Sequence, residues 1–220
     1  MQYRLDLYVP FLYILAAIPY AWLGLSAWRE RPAIAVTPFV WTMLGMSLWS
    51  FTYGVEIFFT SLPIKVFIAK IEYFGIVSIP IFLLLFSLEF IGKSHLLNRS
   101  RRFLLWVFPL IILLLVWTNE YHHLMWSGET VITISGLSLL NIEYGPFFWI
   151  HVVFTYIIVL IASLLLVREF VQRPGAYRIQ ISLIILGILI PWVGSLIFVA
   201  KINPIQNLDI TPLFFLPTGL

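Results

Sequence analysis

Long uninterrupted apolar runs constrain this sequence more than any other feature. Only 10% of its 220 residues are charged, whereas soluble domains carry about 25% charged residues. A helix that spans a bilayer needs about 20 apolar residues in a row, whereas a transmembrane β-strand shows an alternating pattern over about 10 residues. The runs in this chain are continuous and have the helical length. The sequence therefore predicts an all-α integral membrane protein.

Seven transmembrane helices are predicted, and they form a single domain over residues 1–220. The spans are 8–28, 38–59, 64–92, 101–118, 146–168, 177–200 and 208–220. The last span, from Leu208 to Leu220, gives about 20 Å of helix, which is shorter than the roughly 30 Å thickness of the hydrocarbon core. We therefore expect the natural protein to continue beyond residue 220.

Basic residues predict the orientation of the bundle. One side has only Arg4, Lys65 and Lys201 in its loops. The loops of the other side hold nine basic residues, namely Arg29, Arg31, Lys93, Arg99, Arg101, Arg102, Arg168, Arg173 and Arg178. Because lysine and arginine accumulate in cytoplasmic loops, the amino terminus is predicted outside and the carboxyl terminus in the cytoplasm. The same rule accounts for the net charge of +3, so the lipid bilayer is the expected partner and nucleic acid is not. The absence of cysteine excludes disulfides and cysteine metal sites.

The outer loop 119–145 is the only long connection. Its segment TVITIS (130–135) alternates polar and apolar residues, Gly136 interrupts it, and SLLNIEY (138–144) follows. This pattern predicts a small extracellular β-hairpin that covers the outer mouth of the bundle as a lid. Long structured loops are often functional, but a passive cover over the helix ends is an equal alternative.

Three of the charged residues within predicted spans are of interest here, because charges inside a membrane are rare and often functional. Glu56 ends a helical face that also carries Trp49 and Tyr53. Lys70 and Glu72 lie on the next helix, and one of them is expected to pair with Glu56. Two interpretations stay open: ion pairs that fix helix packing, or a carboxylate that faces an outer cavity and binds a ligand.

Polar and aromatic residues concentrate in WTNEYHHLMW (117–126) and YGPFFWIH (144–151). An interfacial belt explains the aromatic residues, and a small-molecule pocket with aromatic walls explains the histidines better. A metal site formed by His122, His123 and His151 with Glu120 or Glu143 is a weaker alternative, because no HxxxH or HExxH spacing occurs. No metal or cofactor is therefore predicted. The predicted ligand-binding residues are Trp49, Tyr53, Glu56, Glu72, Trp117, Asn119, His122, His123, Trp126, Tyr144, Trp149, His151, Tyr156 and Trp192.

The chain resembles the N-terminal seven-transmembrane sensor region of prokaryotic histidine kinases. The resemblance covers nearly the whole chain and rests on WTNEYHHLMW, on YGPFFWIHVVFTY (144–156) and on LDITPLFFLPTG (208–219). It implies a homodimer in the plasma membrane, whose seventh helix continues into cytoplasmic PAS and kinase modules, or into a diguanylate cyclase.

Together these features predict a non-catalytic receptor for an extracellular or membrane-borne small molecule. No serine–histidine–carboxylate set or zinc-protease motif points to catalysis within the chain. A transporter or channel-like protein is the alternative, although no internal repeat is visible.

Overall fold

The computed structural model describes residues 5–172, 175–202, 205 and 207–214. The elements, in chain order, are α1 Leu5–Ala27, α2 Val36–Phe58, α3 Leu62–Phe90, α4 Arg99–Trp117, α5 Asn119–His122, β1 Trp126–Ile134, β2 Leu137–Tyr144, α6 Pro146–Gln172, α7 Ala176–Val199 and α8 Thr211–Phe214. Each of the first six predicted spans corresponds to one long helix within four residues at either end. The predicted seventh span begins with Leu208–Ile210 and α8, and its residues 215–220 lie outside the described part, as do Arg4 and Arg173.

Five helices of the described ranges are long and apolar enough to cross a membrane: α1, α3, α4, α6 and α7. The sixth long helix, α2, has 23 residues but carries buried polar side chains, among them Thr42, Ser50 and Glu56. These groups are satisfied inside the bundle; Ser50 Oγ, for example, donates to the Tyr13 carbonyl oxygen at 2.8 Å. The polar content of α2 therefore follows from its position between α1 and α3.

Helix α3 lies at the centre of the packing. It contacts α2, α4 and α6, while α1 packs on α2 and α7 packs on α6. The short α8 contacts α7 on one side and α1 and α2 on the other. The series α2, α3, α6, α7 and α8 therefore closes around an interior space, and α4 packs outside it.

Two glycines allow helix backbones to approach each other closely. A Cβ atom at Gly75 of α3 would lie 2.6 Å from the Gly45 carbonyl oxygen of α2, and one at Gly54 of α2 would lie 2.8 Å from the Pro10 carbonyl oxygen of α1. Small residues let membrane helices approach backbone to backbone. The α1–α2–α3 unit is accordingly the most tightly packed part of the bundle.

The predicted hairpin is confirmed as an antiparallel pair of strands. Its turn consists of Ser135 and Gly136, both with positive φ (53° and 85°), as in the two-residue turns that match the twist of paired strands. The strand β1 begins at Trp126, four residues before the predicted start. Leu137 and Leu139 are fully buried against the ends of α1 and α2. We refer to this end of the bundle as the hairpin end.

Candidate functional site

A cavity of about 470 Å³ lies inside the bundle below the hairpin. Its walls come from α2, α3, α6 and α7, from both hairpin strands, and from residues between Lys201 and Thr211. Cavities that hold small molecules measure about 300–1,000 Å³ and are mostly apolar with a few polar groups. This cavity has the size and the mixed lining of such a site.

Nine of the fourteen predicted ligand-binding residues line this cavity, although they come from six separate elements. They are Trp49, Tyr53, Glu56, Glu72, Trp126, Tyr144, His151, Tyr156 and Trp192. The helical face Trp49–Tyr53–Glu56 of α2 points into the same space as His151 and Tyr156 of α6. The structure thus brings these side chains together, and their role as ligand contacts stays a prediction.

Asn119 lies outside the cavity lining and holds the loop together. Its side-chain oxygen accepts hydrogen bonds from the backbone N–H groups of Met125 and Trp126, both at 3.1 Å, and its amide donates to the Trp126 carbonyl oxygen at 2.9 Å. This buried side chain therefore fixes the start of β1 and sets the position of Trp126, which is fully buried against the cavity.

The adjacent histidines also lie outside the lining. His122 Nε2 is 3.1 Å from Thr118 Oγ1, and its Nδ1 accepts the backbone N–H of Leu124. His123 is exposed and has a left-handed backbone with φ of 54°. Both residues thus belong to the turn between α4 and β1, while His151 faces the cavity.

Two of the predicted tryptophans are partly exposed at the hairpin end. Trp117 is 39% exposed and packs edge-on against Phe67 and Phe74, with ring centroids 6.0 Å apart in each case. Trp149 is 48% exposed beside Tyr144. Such positions are typical of aromatic residues where lipid meets water. They fit the interfacial interpretation of the aromatic residues in 117–126 and 144–151.

The expected pairing of Glu56 with Lys70 or Glu72 is wrong. Glu56 pairs with Lys65, with 2.5 Å between Oε1 and Nζ, and both side chains are almost completely buried. Lys65 lies in the first turn of α3, just beyond the tight α2–α3 turn, so it reaches back to the end of α2. Its ammonium group also donates to the carbonyl oxygens of Glu56 (2.9 Å) and Ser138 (2.7 Å), which ties the hairpin to the bundle.

Lys70 pairs instead with Glu120 of α5, which is 59% exposed. The hydrogen bond from Lys70 lowers the pKa of the Glu120 carboxyl below its usual value. Both lysines of α3 thus form ion pairs. In the described part of the chain, Glu72 forms no ion pair, and its Oε1 is buried without a hydrogen-bond partner.

Unpartnered polar atoms concentrate at the cavity. Six buried side-chain atoms lack a hydrogen-bond partner in the described ranges, and five of them belong to residues that line the cavity: Glu72, His151, Thr155, Trp192 and Thr211. Buried polar atoms nearly always have partners, because an unmet one costs about 1–3 kcal/mol. In the described ranges, the protein itself therefore leaves several polar atoms of the cavity-lining residues without a hydrogen-bond partner.

Sequence reasoning missed the segment that precedes α8. The Tyr13 hydroxyl donates to the Asp209 carbonyl oxygen at 2.6 Å, and the Asp209 N–H donates to the Tyr53 hydroxyl oxygen at 2.7 Å. We call Tyr13, Tyr53 and Asp209 the tyrosine latch. Tyr20 lies seven residues, or about two helical turns, after Tyr13, and its hydroxyl donates to the Pro212 carbonyl oxygen at 3.3 Å. The i, i+7 spacing of the two tyrosines was the available signal, but nothing local indicated the partner.

The geometry does not favour metal binding. Within the described ranges, no group of three or more histidine, aspartate or glutamate side chains could hold a metal ion. The proposed set fails because His122 and His123 are held in the loop, away from the cavity that His151 lines.

Comparison with known families yields one match. The profile described as "N-terminal 7TM region of histidine kinase" matches residues 12–220, nearly the whole chain. No curated protein matches this sequence.

Proposed function

The chain belongs to the family of N-terminal seven-transmembrane regions of histidine kinases, and on this basis we propose that it receives a chemical signal for a cytoplasmic kinase. A small molecule, extracellular or dissolved in the membrane, enters the cavity beneath the hairpin. Its binding favours one arrangement of the helices over another. The seventh helix, which begins at α8, carries that difference to the kinase.

One observation carries this proposal: the cavity wall reaches α8 and the residues just before it. Tyr53, Asp209 and Thr211 all line the cavity, and the first two also form the tyrosine latch. A ligand that displaces Tyr53 therefore acts directly on the segment that positions α8. No long pathway through the bundle is required.

The proposal includes the orientation and assembly expected from the sequence. The hairpin end faces the outside of a prokaryotic plasma membrane, seven helices cross the bilayer, and the carboxyl end enters the cytoplasm. The kinase, preceded by a PAS module, functions as a homodimer. The reading frame is expected to continue past Leu220 into these modules, and a second transmembrane bundle or a stop codon there would contradict the proposal.

Hydrogen exchange tests the coupling between the cavity and α8. Thr155 has a buried hydroxyl without a partner in the cavity wall, so Thr155→Trp fills the cavity from α6. Leu164→Trp places the same side chain on the exposed face of the same helix. We expect altered exchange of the backbone amides between Leu208 and Phe214 in Thr155→Trp alone. Identical exchange in the two variants would contradict the coupling.

A transporter or channel-like protein is the alternative function. Flux of a bound solute into liposomes that contain the purified chain would favour it, whereas binding without flux would favour a receptor. A diguanylate cyclase in place of the kinase would leave the sensing role unchanged.

A further inference from the structure

The cavity contains two acidic side chains without a cationic partner. Glu72 and Asp209 are 7% and 6% exposed, and among the described residues neither has a lysine, arginine or histidine nitrogen within 4.0 Å. Glu56 differs, because Lys65 neutralises it. Lys201 lines the cavity too, but it is exposed at the hairpin end of α7. The cavity therefore holds two carboxyl groups that no basic side chain of the described residues neutralises.

Aromatic rings form much of the remaining wall. The Tyr73 and Trp126 rings lie 5.7 Å apart, as do the Tyr156 and Trp192 rings, which are perpendicular to each other. The faces of such rings attract organic cations, and clusters of them recognise quaternary ammonium groups. The same rings offer apolar surface for the rest of a ligand.

We propose that the cavity takes an organic cation with an apolar body, whose ammonium group pairs with Glu72 and contacts the surrounding aromatic rings. This inference rests on the proposed function and names the chemical class of the ligand. Glu72 lines the cavity and its Oε1 accepts no hydrogen bond, so its carboxyl group is available to an ammonium donor, and Asp209 provides a second carboxyl group in the same wall. The volume of about 470 Å³ accommodates a body as large as a phenylalkyl group.

Other ligand classes fit the same wall less well. A carboxylate or phosphate would face two acidic side chains, and like charges at short range repel. A neutral molecule would leave the Glu72 carboxyl either protonated or buried as an unpaired charge, which is costly. An ammonium group satisfies the charge and the hydrogen bond together.

Three probes with one body and different charges test this proposal. They are 4-phenylbutylamine, 4-phenylbutan-1-ol and 4-phenylbutyrate, which at pH 7 are a cation, a neutral alcohol and an anion. Binding is measured by calorimetry to the chain in nanodiscs of zwitterionic lipid, with empty nanodiscs subtracted. We expect the amine to bind most tightly and the butyrate most weakly.

Two substitutions test whether the acidic side chains of the cavity cause the preference for the amine. Glu72→Gln should weaken amine binding by about 30-fold, as for truncation of a buried charge pair, and should change alcohol binding less than about threefold. Asp209→Asn, which keeps an oxygen for the Thr211 N–H, should also weaken the amine. Glu143→Gln removes an exposed carboxylate of β2 outside the cavity and should change nothing.

The possible outcomes distinguish a failure of the cation inference from a failure of the proposed receptor function. Equal binding of amine and alcohol, a preference for butyrate, or an unchanged amine affinity in Glu72→Gln would overturn the cation inference while leaving a ligand-binding cavity. If none of the three probes binds, the cation inference falls and so does the proposed role of this cavity. If Glu72→Gln does not fold, the ranking of the three probes on the unaltered chain still decides.

Discussion

Replacing Lys65 with methionine should destabilise the bundle more than any exposed substitution. The Lys65 ammonium group is fully buried and donates to three oxygens: Glu56 Oε1, the Glu56 carbonyl and the Ser138 carbonyl. Methionine keeps most of the side-chain volume and removes the charge. Glu56 is then a buried carboxylate without its partner, and the hairpin loses a hydrogen bond to α3.

Two independent arguments estimate how much free energy of unfolding Lys65→Met loses. Removing one partner of a buried ion pair costs about 3–5 kcal/mol. The orphaned carboxyl can instead take up a proton, and for a carboxyl of ordinary pKa this costs about 3.7 kcal/mol at pH 7. Proton uptake therefore limits the electrostatic loss, and we expect destabilisation of about 3–4 kcal/mol at pH 7. The loss should shrink by about 1.4 kcal/mol for each unit of pH between 7 and 5.

Unfolding in mixed micelles of increasing SDS fraction measures this difference. The double variant Lys65→Met with Glu56→Gln removes both charges and should recover most of the lost stability, since the pair as a whole contributes little net free energy. Lys93→Met, at a less buried lysine, should change stability by under about 0.5 kcal/mol. A loss below about 1 kcal/mol in Lys65→Met, or no recovery in the double variant, would refute the reasoning.

Three further perturbations follow from the packing and the loop. Gly75→Ala should cost about 1–3 kcal/mol in the same unfolding assay, because its Cβ would meet the Gly45 carbonyl oxygen at 2.6 Å. Asn119→Ala should cost about 1–3 kcal/mol by leaving buried N–H groups of the loop unpaired, and it should leave probe affinity within about threefold; a large affinity loss would place Asn119 at the ligand. The lowered pKa of Glu120 means that its bond with Lys70 stabilises the fold above pH 4.5 and that this contribution disappears as the pH falls further. Lys70→Met should reduce the loss of unfolding free energy at acid pH, by less than about 1 kcal/mol because the Glu120 side chain is 59% exposed. An unchanged dependence of stability on pH would contradict this assignment.

The helices and the hairpin could be predicted because their signals are local. Apolar run length located the six long helices, and the break at Gly136 between two alternating segments located the turn of the hairpin. The start of β1 was misplaced, since it depends on the Asn119 side chain, which binds backbone groups six and seven residues away.

The candidate site was predicted less well, because it depends on contacts distant in sequence. Glu56, Glu72 and His151 were recognisable as polar residues within apolar helices. The partner of Glu56 was misassigned, because helix–helix register decides whether Lys65 or Lys70 reaches it. The tyrosine latch joins residues 196 positions apart, so no periodicity within α1 could indicate it. His122 and His123 were included on residue type alone, and their backbone geometry directs them elsewhere.

Small-molecule capture shows whether the cavity beneath the hairpin is the sensory site. Wild-type chain, Thr155→Trp and Leu164→Trp in nanodiscs would each be equilibrated with spent growth medium of the source cells, washed and denatured, and the released molecules identified by mass spectrometry. We expect a compound of matching size, enriched equally on wild type and Leu164→Trp and absent from Thr155→Trp. Equal enrichment on all three proteins, or on none, would contradict the assignment of the cavity as the sensory site.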